Sequence, residues 1–140
     1  MSTAAAPMPA SRAAVRSDPA AQAYLLLRIV FCLAPIVFGL DKFAGVLTDD
    51  WTRYLAPEFN DIIPGSAATA MHLVGVVEIV AGLVVLLTPR WGSLLVAGWL
   101  AGIILNLLLI GGYGDIAMRD FGLLAGALAL NRLATAAHAR

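Results

Sequence analysis

Long apolar runs alternate with short polar interruptions along the chain, and the run lengths set the first expectation. Apolar side chains dominate from Tyr24 to about Phe43, from Ala67 to Leu87, from Trp91 to Ile110 and from Ile116 to Leu133. A helix needs about 20 residues to cross a hydrocarbon core of roughly 30 Å, so each run predicts a transmembrane span. The links "TPRWG" and "GGYGD" are turn-rich and short, which brings successive helices back antiparallel. The predicted fold class is an all-α membrane protein: a four-transmembrane-helix, up-down-up-down bundle filling residues 23–134. Pro35 predicts a kink in the first helix, because it removes a backbone donor and crowds the preceding turn.

The flanks read differently. Residues 1–22 are rich in Ala, Pro and Ser and predict a disordered tail, and residues 135–140 a second, shorter one. The first apolar run exceeds the roughly 7 to 15 residues of a signal-peptide core and lacks a small-x-small cleavage site, so it is expected to be retained. Between the first two spans, "LTDDWTRYLAPEFNDIIPG" is too polar to cross a bilayer and too aromatic for a plain spacer. It predicts a short amphipathic interfacial helix, capped by Thr48, ended by Pro57 and anchored through Trp51, Tyr54 and Leu55.

Composition narrows the class. The chain is 61% hydrophobic and 13% charged, as expected when lipid is the main solvent. Its net charge of zero gives no support to a nucleic-acid-binding surface. Cys32, the only cysteine, lies in an apolar run and reads as a small buried hydrophobe. Four spans place Arg12, Arg16, Arg28, Arg90, Arg132 and Arg140 on one side, against Lys42, Arg53 and Arg119 on the other. The positive-inside rule then makes both termini cytoplasmic.

Against this apolar background the polar residues are the candidates for function. Glu78 falls near the centre of the second span, where a charged side chain costs at least ~3 kcal/mol by insertion scales, so it should be neutral or paired. It shares a helical face with Met71, Gly75 and Gly82, which points it into the bundle. Arg28 could snorkel to headgroups or reach Glu78, and a water or ligand could bridge Glu78 to His72. Asp41 and Lys42 close the first helix, and Lys42 reads as an interfacial charge. Gly98, Gly102 and Asn106 form a predicted close-packing stripe on the third helix, and Arg119 shares a face with Gly122 and Gly126 on the fourth. Asp120 turns away from Arg119, so both should find partners on other helices. His72, Asn106, Arg119 and Asp120 thus gather at one outer level. Each has a plainer reading: Asn106 as interhelical glue, Glu78 as a protonated acid bonded to a carbonyl, Arg119 and Asp120 as an ion-pair network at the mouth.

Several chemistries lack a basis. His138 lies in the tail and leaves His72 without a second membrane histidine, so no haem is expected. No metal-ligand pattern, phosphate-cradling loop or nucleophile elbow is present, and the chain has no self-contained catalytic motif.

Three stretches resemble the DoxX-like family of small four-helix bacterial membrane proteins. These are "YLLLRIVFCLAPIVFGLDKFAG", with Arg28, Gly39 and Lys42; "GVVEIVAGLVVLL", with Gly75, Glu78 and Gly82; and "GDIAMRDFGLLAGALAL", with Arg119 and Asp120. The likeness covers about residues 24–133, while Pro35 and the region of Cys32 depart from a more glycine-rich first helix. The resemblance implies a multi-pass protein of the bacterial cytoplasmic (inner) membrane. Some relatives are small subunits of thiosulfate:quinone oxidoreductase, and others associate with redox-defence enzymes. It matches Arg28, Lys42, Glu78, Arg119 and Asp120 to the family's polar positions without giving any of them a catalytic role.

The leading expectation is a quinone-interacting membrane subunit associated with an oxidoreductase. His72, Glu78, Asn106, Arg119 and Asp120 are its ligand-binding or proton-carrying candidates, supported by Arg28, Asp41 and Lys42. The alternatives are a membrane anchor or assembly protein that recruits a soluble redox enzyme, and a small-solute or proton pathway, for which one central acid is a poor conduit. The expected partners are the lipid bilayer, a quinone and a redox enzyme, with homo-oligomerisation left open.

Overall fold

The computed structural model describes residues 17–138, and these form an all-α chain. Four long helices, α1 (Pro19–Ala44), α3 (Ala67–Leu87), α4 (Pro89–Ile110) and α5 (Gly114–His138), are joined by turns, with a short helix α2 (Pro57–Ile62) in the long link. Three of them, α1, α3 and α4, are long and apolar enough to cross a membrane. Their outer surfaces carry large apolar side chains such as Leu26, Leu33, Val80 and Leu108, as lipid-facing helices do. In α5, Asp115, Arg119, Asp120, Asn131 and Arg132 interrupt the apolar sequence.

Helix boundaries follow local chemistry. The expected tail at 1–22 lies outside the described residues up to residue 16, but α1 already begins at Pro19, before the expected Tyr24. Asp18 caps it by accepting from the Ala20 N–H at 3.0 Å, and proline at the first helical position needs no donor. The helix runs unbroken through Pro35 to Gly45, whose φ of 67° ends it in the left-handed region that glycine tolerates. At the other end α5 continues through His138, beyond the expected limit at Leu133.

The link between α1 and α3 differs from the single interfacial helix expected. Asp50, not Thr48, caps a 3-10 turn over Trp51–Tyr54, and Pro57 begins α2 where it was expected to end a helix. Pro57 constrains Ala56 to an extended conformation, which separates the two pieces. The Asp50 carboxylate accepts from the hydroxyl and backbone N–H of Thr52, and these bonds, the hydroxyl's first, hold it below the ordinary carboxylate range.

Packing pairs α1 with α3 and α4 with α5, and α3 with α4 joins the two pairs. The first pair is close enough for backbones to touch. A Cβ on Gly39 would lie 2.5 Å from the Gly75 carbonyl oxygen, and one on Gly82 would lie 2.6 Å from the Cys32 carbonyl oxygen. The core is formed by Phe31 and Cys32 of α1, Ala81 and Val85 of α3, Val96 and Leu100 of α4, and Ala127 and Leu130 of α5. Cys32 is a free, buried thiol within it, as its apolar surroundings suggested. The predicted Gly98–Gly102 stripe is not packed: a Cβ at either position, or at Gly122, would meet nothing within 4 Å. Gly126 lies against Phe31, so part of the α5 face packs as expected.

Candidate functional site

The Gly39–Gly75 contact fixes the register of α1 on α3 and brings Lys42 beside Glu78. Lys42 Nζ donates to Glu78 Oε2 at 2.7 Å, with the two side chains only 5% and 9% exposed. This is the sole ion pair among the described residues. It answers the question raised by a carboxylate in the middle of α3: the partner is Lys42, which sequence alone made an interfacial charge. Arg28 does not reach Glu78; its Nη2 donates to the Leu86 carbonyl at 2.6 Å, at the far end of α3.

The ammonium of Lys42 lies 4.0 Å from the ring centroid of Trp51. Asp41 positions that ring, because its Oδ2 accepts from Trp51 Nε1 at 2.9 Å. The same carboxylate accepts from the N–H groups of Val46, Leu47 and Thr48 at 2.8, 2.9 and 3.2 Å, so it organises the whole exit of α1. Asp41 is accordingly buried. Adjacent residues thus divide the work: Asp41 holds the loop and Trp51, while Lys42 fills the space between Trp51 and Glu78.

Other candidates take different places. His72 is exposed on α3 and stacks on Phe43, with centroids 4.7 Å apart and planes 14° from parallel. Asn106 grips the link between α1 and α3: its Oδ1 accepts from the Ala56 N–H at 2.7 Å, and its Nδ2 donates to the Tyr54 carbonyl. Arg119 is exposed and in no ion pair among the described residues. Asp120 is half-buried and within Coulombic reach of Glu78, so α5 adds a second carboxyl to the cluster. Sequence reasoning missed Trp51 as a ligand of both Asp41 and Lys42. It also passed over Trp99, whose buried indole N–H is turned toward Glu78. A lone tryptophan in an apolar run gave no signal beyond its buried polar nitrogen.

Above the ion pair a cleft of about 370 Å³ opens, lined by Lys42, Phe43, Asp49, Trp51, Thr52 and His72 among others. Phe43 and Trp51 offer it aromatic side chains, and Lys42 and His72 contribute to its lining. No cluster of His, Cys, Asp or Glu among the described residues could hold a metal ion.

A family model described as DoxX matches residues 23–110, from the start of the first apolar run to the end of α4. No curated protein and no solved structure matches the chain.

Proposed function

The chain belongs to the DoxX family of membrane proteins, and on that premise we propose that it is a quinone-interacting membrane subunit associated with an oxidoreductase. The observation that carries the proposal is the buried Lys42–Glu78 pair, covered by Trp51, with Lys42 and Trp51 both in the lining of the outer cleft. A quinone head needs a flat apolar face and hydrogen-bond donors at its carbonyl oxygens. Trp51 and Phe43 offer faces, and Lys42 has donors beyond the one Glu78 takes. His72, in the lining of the cleft, is a further donor.

A bound quinone would supply the electron-accepting chemistry, with the electrons coming from the associated oxidoreductase. This chain's residues bind and orient. Lys42 directs a carbonyl oxygen, Trp51 excludes water above the pair, and Glu78 with Asp120 can hold a proton near the head. Asp41 acts through Trp51 as a positioning residue, and Asn106 keeps the link in place over the cleft.

The same reading gives α5 a fourth crossing. Its 25 residues extend about 37 Å at 1.5 Å per residue, and it packs along α4. An up-down-up-down bundle then puts both termini on the cytoplasmic face of a bacterial inner membrane, the side favoured by the arginines.

The test is titration of the detergent-purified protein with a short-chain quinone, read by tryptophan fluorescence. Saturable quenching in the wild type that is lost in Lys42→Met/Glu78→Met is expected. An unchanged signal, where a control quinone protein responds, overturns the proposal.

A second reading, a membrane anchor that recruits a soluble redox enzyme, is favoured by the link itself, where Val46, Leu47 and Ile62 stand exposed. A stoichiometric partner whose co-purification survives Glu78→Gln but is lost in Val46→Asp/Leu47→Asp would select it.

A further inference from the structure

A second cleft, of about 400 Å³, lies at the opposite end of the helices from the Lys42–Glu78 pair. The first turns of α1, the α3–α4 turn and the end of α5 meet there. Arg28 and Arg90 line it with His138, and no carboxylate of the described residues does so. Neither guanidinium is in an ion pair among the described residues.

Both arginines are held in place. Arg28 donates to the Leu86 carbonyl, which helix geometry would leave unsatisfied at the end of α3, and its guanidinium lies 6.0 Å from the Tyr24 ring. Arg90 launches from a pinned backbone, since its carbonyl accepts from Ser93 Oγ at 3.0 Å and from Asn131 Nδ2 at 2.8 Å. Its guanidinium lies 5.0 Å from the Trp91 ring. Each arginine retains N–H donors, and a planar guanidinium matches the oxygens of a phosphate.

The cleft is continuous with an apolar exterior. Leu87 and Trp91, 77% and 61% exposed, form its outer lip, and Leu86 beside them is also exposed. A ligand carrying an anionic head and hydrocarbon chains could therefore place the head between the arginines and lay its chains over this lip. A free phosphate ion would use only the first part of the site.

We propose that the cleft binds the phosphate of an anionic phospholipid, held between Arg28 and Arg90 with its acyl chains over Leu87 and Trp91. The site is separate from the outer cleft and does not rest on quinone binding. Basic pockets between membrane helices are a recurrent way to hold such headgroups.

The experiment is native mass spectrometry of the detergent-purified chain with phosphatidylglycerol, phosphatidylcholine or inorganic phosphate. The wild type is expected to retain phosphatidylglycerol over phosphatidylcholine, and Arg28→Gln/Arg90→Gln to lose that preference, by about tenfold for each charge-assisted contact. Arg53→Gln/Arg119→Gln, which removes the same charge at the other end, should keep it. Because Arg28 also satisfies a helix carbonyl, Arg90→Gln alone is the second variant: its guanidinium makes no hydrogen bond within the described residues, and its loss should still weaken retention about tenfold. Undiminished retention in Arg90→Gln, equal loss in the charge-matched control, or inorganic phosphate binding as well as the lipid would each overturn the proposal.

Discussion

Lys42 Nζ sits between two partners of different kinds, 2.7 Å from Glu78 Oε2 and 4.0 Å from the centroid of the Trp51 ring. An ammonium so enclosed is desolvated, and so is the carboxylate it meets. The two charges are tolerable together and costly apart. Lys42→Met should therefore lower unfolding stability in detergent by about 3–5 kcal/mol, whereas Lys42→Met/Glu78→Met should recover most of that loss. Chemical or thermal unfolding of both variants checks the pair. A double variant as unstable as the single one would show that shape, not charge, makes the site.

Trp51 links the loop to the pair through its N–H and its face. Trp51→Phe removes the hydrogen bond to the buried Asp41 carboxylate and should cost about 1.5–3 kcal/mol, while Trp51→Leu also removes the cation–π contact, about 1–2 kcal/mol more. Unfolding of the two variants side by side separates the contributions.

Glycine substitutions should divide by location. Gly39→Ala forces a Cβ against the Gly75 carbonyl and should destabilise the α1–α3 pair by about 1–3 kcal/mol. Gly98→Ala and Gly102→Ala enter open space and should be neutral or stabilising by up to about 1 kcal/mol. Thermal shift in one detergent orders the three.

These glycines also show how far the sequence could be read. The i+3 and i+4 spacing of Met71, Gly75, Glu78 and Gly82 placed them on one inward face, and all are buried in α3. Spacing on one helix carries no register against another, so Lys42 could not be matched to Glu78 before the Gly39–Gly75 contact was known. Gly98 and Gly102 have the same spacing as a packed stripe but lie in the open, because small residues permit a close approach without requiring one. Asn106 was singled out by its place at the end of a small-residue stripe, yet its partners are the backbone of Tyr54 and Ala56, which local pattern cannot show. Asp18–Pro19 was a legible helix start, masked by the Ala- and Ser-rich composition around it.

Asn106 closes the link over the bundle, and Asn106→Ala leaves the Ala56 N–H and the Tyr54 carbonyl without their partner. Faster amide hydrogen exchange at Ala56 and earlier proteolytic cleavage between residues 45 and 66 are expected, with a cost of about 1–3 kcal/mol. Asn106→Asp keeps an acceptor for Ala56 and should retain part of the protection.

The Asp50 cap responds to pH in one direction. Its folded carboxyl is lowered by the bonds from Thr52, so the cap's contribution is complete above the ordinary carboxylate range and is lost as pH falls through the lowered folded value. Exchange of the Thr52 amide should accelerate over that acidic interval relative to Asp50→Asn, which has no carboxyl to titrate.

A photoreactive short-chain quinone, crosslinked to the protein in detergent and mapped by peptide mass spectrometry, tests the functional account most directly. Labelling should concentrate on the segments carrying Lys42 to Thr52 and Ala68 to His72, and be suppressed by excess unmodified quinone. Labelling spread evenly over the lipid-facing helices, or unaffected by the competitor, would contradict a quinone site above the Lys42–Glu78 pair.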